Sequence, residues 1–296
     1  MPASSVTIIS SPYHVGLRNH RVGDGPNRLR QKGVYAELDR LHIPTTTVEI
    51  PSVDEFEGEI GRSFEVLRRI SKAVSKAKEN NAFPCVAVAA GLGIKDLGFV
   101  WLDAHDDFDT PDTNVSGYLD AMGVSMLAGQ SWKGFMDTIP GHVPLNLDRF
   151  VYCGLRDQNE VQRKRVLDAK FDVVWGGEDA SRNGPVHFAR ELRALLDKRT
   201  DMIDQPTLVH VDLDVLDESE GKVNGYEAPD GIHADDLVEC LSLIPKRVAP
   251  TSLTVASFNP NQGDGSDGDR IADIGVRVIG HFMKALIEND YVKPQI

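Results

Sequence analysis

The stretch Val100-Trp-Leu-Asp-Ala-His-Asp-Asp-Phe-Asp-Thr110 decides how this chain is read. Phe99, Val100, Trp101 and Leu102 form an apolar run of buried-strand length, and it breaks abruptly into acids and one histidine. Side chains alternate along an extended chain, so Asp103, His105 and Asp107 converge on one side if that conformation persists past the strand end. Two carboxylates and an imidazole facing one point are a donor set for a divalent cation. The plainer alternative is an acidic loop in water, which accounts for some of Asp106, Asp109 and Asp112.

A second stretch, Thr207-Leu-Val-His-Val-Asp-Leu-Asp-Val-Leu-Asp217, repeats the pattern: an apolar strand ending in carboxylates, with Asp212 and Asp214 on one face. One Asp-x-Asp is weak evidence, because any strand turns polar where it meets water. Two strands of one sheet delivering alternating acids at their carboxyl ends form a site. Four aspartates and a histidine suit Mn²⁺ and tolerate Zn²⁺, Co²⁺ or Fe²⁺. His210 shares the face of Asp212 but lies roughly 7 Å down the strand at ~3.3 Å per residue; a satisfied core residue is the expected reading and a replacement metal ligand the lesser one.

Strands alternate with helices around these two stretches. Strands are expected at Val6 to Ser10, Thr45 to Ile50, Pro84 to Ala89, Arg149 to Cys153, Phe171 to Trp175 and Ser252 to Ser257. Helices are expected to begin near Gly25-Pro26, over Ile60 to Ala77, Ser116 to Gly129, Asn159 to Ala169, Pro185 to Leu196, Ala234 to Ile244 and from Ile271 to Leu286. The pattern predicts a mostly parallel sheet covered on both faces in one α/β domain over residues 1–296. Only Ala90 to Leu97 separate two strand candidates, too few residues for a parallel crossover between neighbours. Either those strands are not neighbours or a loop and helix are missing. The loop Asn259 to Gly268 belongs to the same rim as the acidic stretches, beyond the strand ends. His14 and His20, in the loop Pro12 to Asp24, are expected to be solvated.

The 45 acids against 32 bases give a net charge of -13, which disfavours nucleic acid or an anionic membrane as partner and favours a small or cationic ligand. Cys85, Cys153 and Cys240 are scattered without a pairing pattern, as in reduced core cysteines of a cytoplasmic protein. No secretory signal pattern or bilayer-length apolar run is present, so a soluble protein is expected.

Asp-Ala-His-x-Asp followed by Thr110-Pro111 and Ser116-Gly-Tyr-Leu, Gly154-Leu-Arg-Asp157, and Asp212-x-Asp-x-Leu-Asp217 together resemble the ureohydrolases: arginases, agmatinases and formiminoglutamases. The similarity runs through nearly the whole chain, including Gly25-Pro26 and Asn259-Pro260. It implies a three-layer α/β/α fold, a homo-oligomer, and a binuclear Mn²⁺ centre whose hydroxide attacks the carbon of a small guanidino or amidino substrate. By the resemblance, Asp103 and Asp212 would bridge two metals, His105 and Asp214 would complete one set, and Asp107 would serve the other.

Departures from the family pattern carry chemical consequences. A sixth ligand, the histidine of a Gly-Gly-Asp-His segment expected after the strand at Pro84 to Ala89, is absent, at the place where the crossover is too short. One or two ions per chain are therefore both open. Asp120 stands where the family carries a proton-shuttling histidine; with Asp107 it is a candidate catalytic carboxylate, although its reference pKa of ~3.9 suits neutral pH only if burial raises it. Ser257 replaces a guanidinium-clamping glutamate and cannot form a charged pair. Asp109 and Asn159 occupy the positions that hold the α-carboxylate and α-ammonium of arginine in arginases, and Asp109 would repel a carboxylate. Asn114 and Ser116 remain as hydrogen-bonding substrate contacts. The alternative to a hydrolase is a non-catalytic relative that binds metal or a partner; a third, technical reading is an intact enzyme whose segment after Ala89 was removed by a gene-model or splicing choice. The latter leaves Asp120 and Ser257 unexplained.

Overall fold

The computed structural model describes residues 1–54, 58–86, 94, 97–177 and 186–295. Its strands are β1 (Ser5–Ser10), β2 (Tyr13–His14), β3 (Leu17–Arg18), β4 (Thr45–Glu49), β5 (Ala82–Val86), β6 (Gly98–Leu102), β7 (Phe150–Leu155), β8 (Asp172–Trp175), β9 (Pro206–Asp212) and β10 (Ala249–Ala256). The helices are α1 (Gly25–Gln31), α2 (Val34–Arg40), α3 (Glu59–Glu79), α4 (Gly123–Leu127), α5 (Lys133–Met136), α6 (Glu160–Asp168), α7 (Phe188–Leu196), α8 (Ala234–Leu243) and α9 (Ser266–Glu288).

Eight strands form one sheet in the order β4-β1-β5-β10-β9-β6-β7-β8, every pairing parallel, while β2 and β3 make a small hairpin. Alternation along the strands feeds two cores. Val100, Leu102, Val151, Cys153, Val209 and Val211 pack with α2, α7, α8 and α9. Phe99, Trp101, Phe150, Tyr152 and Leu208 pack with Val124 and Val166 of α4 and α6 on the opposite face. Ile9 packs with Val66, Ile70 and Val74 of α3 in a further cluster. The result is the expected three-layer α/β/α arrangement.

One open reading is decided and one expectation changes. β5 and β6 are not neighbours, since β10 and β9 lie between them, so the short connection does not have to make an adjacent parallel crossover. The sequence after Ala89, where the sixth ligand was sought, lies outside the described residues, apart from Ile94 and Leu97. The helix expected over Ser116 to Gly129 is reduced to a 3-10 turn at Asp120–Met122 and the single turn of α4. Gly117 sits at φ 71°, a backbone conformation that breaks a right-handed helix. The three cysteines are free and buried, as expected.

Because every strand of the large sheet runs the same way, the loops after β1, β6, β7, β9 and β10 emerge on one rim. β6 and β9 are direct neighbours with Leu102 opposite Val211, so Asp103 and Asp212 leave the sheet side by side.

Candidate metal centre and adjoining cavity

Both acidic strand ends turn by the same device. An oxygen of Asp103 accepts a hydrogen bond from the backbone N–H of His105 at 2.8 Å, and an oxygen of Asp212 accepts one from the N–H of Asp214 at 3.0 Å. Each aspartate thus bends its own chain two residues on and is locked in orientation by doing so. The other oxygen of Asp103 accepts from the Trp101 indole N–H at 2.8 Å.

The turns gather two sets of donor atoms. One oxygen or nitrogen each from Asp103, His105 and Asp214 lie within 4.8 Å of one another, and so do those of Asp103, His210 and Asp212. His105 Nδ1 faces Asp103 at 3.5 Å and Asp214 at 3.4 Å, while its Nε2 meets Asp157 at 3.2 Å. An imidazole whose far nitrogen is held by a carboxylate is fixed in tautomer and orientation for metal ligation.

The electrostatics show acids crowded out of water. Burial raises Asp103 to about 6, with the charge of Asp214 adding to the effect. Burial also pushes Asp107 and Asp212 well up, reinforced by Asp103 and Asp120 around the first and by Asp214 and Asp103 around the second. For Asp214 burial again works upward, but the charge and hydrogen bonds of His105, with Asn224, hold it at about 2. Burial disfavours charge on His105, yet Asp214, Asp103 and Asp157 outweigh it and raise its pKa well above the usual value. A cluster of this kind calls for positive charge. Nδ1 of His210, buried without a hydrogen-bond partner, points the same way, so the donor set fits a divalent cation.

Several supporting residues gave no sign of their role in the sequence. The Arg156 guanidinium donates to the carbonyls of Gly154, Asp214, Leu216, Ala228 and Pro229, tying the loop after β9 to the end of β7. Gly154, at φ 107°, makes that approach possible: a Cβ there would meet Val215 Cγ2 at 2.5 Å and the Asp103 carbonyl at 3.1 Å. Asn224 Nδ2 donates to Asp214 at 2.8 Å and to Ser257 at 2.7 Å. Asp157 and Arg156 stood in a recognised motif, but nothing local linked them to His105 or to the β9 loop. Asn224 lies in a loop without periodicity and gave no signal.

A cavity of about 230 Å³ opens beside the centre, with Asp107, Asp120, Asp212, His210, Trp101 and Ser257 in its wall. Asp107 and Ser257 both have left-handed backbone, φ 47° and φ 63°, a conformation costly for residues other than glycine. Asp120 is exposed to the cavity, and desolvation there, with the charge of Asp214, raises its carboxyl pKa. The Tyr118 hydroxyl lies 3.3 Å from Asp120 and 3.0 Å from His14 Nε2. His14 is therefore not the solvated loop residue expected but a buried one, 8% exposed, whereas His20 is exposed as expected.

The remaining substrate candidates gather elsewhere. Asp109 is buried and accepts from Arg165 at 2.6 Å, Asn114 at 3.1 Å and Gln162 at 3.1 Å. Ser116 donates to Asn114 at 2.9 Å, and Asn159 caps α6 through a capping box with Gln162. None of these four lines the cavity among the described residues.

The model of the arginase family matches residues 4–284. The chain belongs to that family. It is 22% identical to an arginase of Staphylococcus aureus (strain MSSA476) over 300 residues, covering 94% of this chain and 96% of the relative. The solved arginase of Bacillus caldovelox superposes with a TM-score of 0.79 at 22% identity, over 94% of this chain and 98% of that one. The proclavaminate amidino hydrolase of Streptomyces clavuligerus matches with a TM-score of 0.63 at 18% identity, over 96% and 94%. Solved structures named as an arginase, a formimidoylglutamase and an amidino hydrolase thus share the fold of this chain.

Proposed function

We propose that this arginase-family protein is a metal-dependent hydrolase of a linear amidine or guanidino compound. The observation that carries the reading is the side-by-side exit of Asp103 and Asp212 from neighbouring parallel strands, with donor atoms of His105 and Asp214 gathered around Asp103. Asp103, His105, Asp212 and Asp214 hold the ion, and Asp107 completes the set from the cavity side. Mn²⁺ is the ion this donor set favours, and other divalent metals fit less closely. A divalent cation, when bound, supplies activated water at neutral pH.

The chain's own residues supply the rest. Asp120 faces the cavity with a raised pKa and exchanges a proton with substrate or product; Tyr118 and His14 extend its hydrogen-bonded path. Asp120, once deprotonated, presents negative charge to a guanidinium head in place of the charged clamp that Ser257 cannot provide. Leu29, Leu67, Met126 and Phe258 make the wall beyond them apolar, and no described lining residue is Arg or Lys. A free carboxylate on the substrate therefore finds no counter-charge, and a guanidino amine or a neutral guanidino compound fits better than arginine. We read residues 1–296 as one functional domain of a cytoplasmic homo-oligomer.

The test is a screen for urea or ammonia release by Mn²⁺-reconstituted protein across guanidino acids, amines and amides. Turnover concentrated on substrates lacking the carboxylate is expected. Silence across the panel with metal bound would overturn the hydrolase reading in favour of a non-catalytic, metal-binding relative.

A further inference from the structure

We propose that His210 supplies the imidazole of a second metal position, held with Asp103 and Asp212, on the side of the centre where the resemblance led us to expect a histidine after Ala89. The inference rests on the metal reading above and goes beyond it, because the ligand set that the resemblance implies includes no histidine inside β9.

Three observations carry it. A ring nitrogen of His210 lies within 4.8 Å of an oxygen of Asp103 and of an oxygen of Asp212, two neighbouring strands having been brought to one point by the β6–β9 register. Donor atoms about 2.1 Å from one ion stand roughly 3–4.2 Å apart, so the three atoms are already near ligation spacing. His210 is also 6% exposed and its Nδ1 makes no hydrogen bond, which is rare for a buried imidazole. Its neighbour across the β9–β10 register, Thr254, is fully buried with an equally unpartnered Oγ1. The protein has buried polar groups here without satisfying them internally.

The third observation is orientation. Trp101 lies opposite His210 in the β6–β9 register, and the two rings stack with centroids 3.7 Å apart and planes 24° from parallel. The same indole donates its N–H to Asp103 at 2.8 Å. One side chain therefore fixes both the plane of the imidazole and the carboxylate shared by the two donor sets, the positioning that metal ligands receive from their surroundings. Asp107 and Asp212 stand with His210 in the cavity wall, so this position faces the bound substrate.

The experiment compares purified wild-type protein with His210→Phe, which keeps a ring on Trp101 but has no donor nitrogen. Each is loaded with Mn²⁺ and dialysed, metal per chain is measured by elemental analysis, and circular dichroism checks the fold. Pulsed EPR on ¹⁵N-histidine-labelled wild-type protein counts imidazole nitrogens at the ions, so the question is answered even if the variant does not fold. Two ions per wild-type chain, two imidazole couplings, and a second ion bound about 100-fold or more weakly in His210→Phe are expected. One ion and a single imidazole in the wild type, or two ions bound equally well by His210→Phe, would overturn the role of His210 while leaving the hydrolase reading standing. No ion in the wild type would overturn both.

Discussion

The two sides of Asp103 hold the same kind of side chain in opposite surroundings. His105 is enclosed by Asp103, Asp214 and Asp157, and their charges raise its pKa despite burial. His210, two residues before Asp212 in the strand, is walled by an indole, and burial lowers its pKa to about 3, against a small opposing effect of Asp214. Without an ion, one imidazole acts as the site's counter-charge and the other is kept neutral. A neutral imidazole is the form that ligates a metal, so His210 is ready to bind while His105 must first exchange its proton for the ion. The difference teaches that charge balance at the first position is provisional and at the second is absent.

The sharpest way to break the comparison is to remove the carboxylate that the two sides share. Asp103→Asn is expected to abolish metal retention after dialysis, read by elemental analysis, because both donor sets lose a charged ligand. Next comes the cavity. Asp120→Asn should lower kcat by about 10²–10⁴ with little change in metal content, measured by steady-state product release, since it removes the acid–base group and leaves the ligands alone.

A smaller effect separates the sides. Asp157→Asn should weaken one ion by about 10–100-fold in a metal titration, because only His105 depends on it. The smallest test lies outside the centre. Burial opposes ionisation of Asp109, but its hydrogen bonds from Arg165 and Asn114 prevail and lower its pKa, so Asp109→Asn should cost about 2 kcal/mol in urea unfolding at pH 7. A carboxyl with a depressed folded pKa contributes its stability above the unfolded value of ~3.9 and loses it as pH falls through the folded value. The wild-type advantage over Asp109→Asn should therefore shrink below about pH 4, and a constant difference down to pH 2 would show that the ion pair contributes nothing.

Most of the α/β alternation was legible because buried parallel strands announce themselves as apolar runs. The ends of β6 and β9 were legible for the same reason, since an apolar run that stops in alternating acids marks the point where a buried strand reaches a rim. What sequence could not supply was partnership. His210 reads as a core residue because periodicity reports burial but not whether a ring nitrogen finds a hydrogen bond. The burial of His14 has no local signal, since Tyr118, whose hydroxyl pairs with its Nε2, is 104 positions away. Asp109 and Asn159 stand at positions that the family motifs give to substrate binding, yet Arg165 and Gln162 engage their side chains, and no local pattern foretold that.

The indole of Trp101 gives the protein an optical gauge. Its ring rests on His210 and its N–H on Asp103, so any ion that draws on either residue must alter the emission of that tryptophan. With only Trp132 and Trp175 to subtract, replacing each by phenylalanine leaves a single fluorophore at the shared edge of both donor sets. Occupancy of the centre could then be followed in real time, without a substrate and before any activity is known.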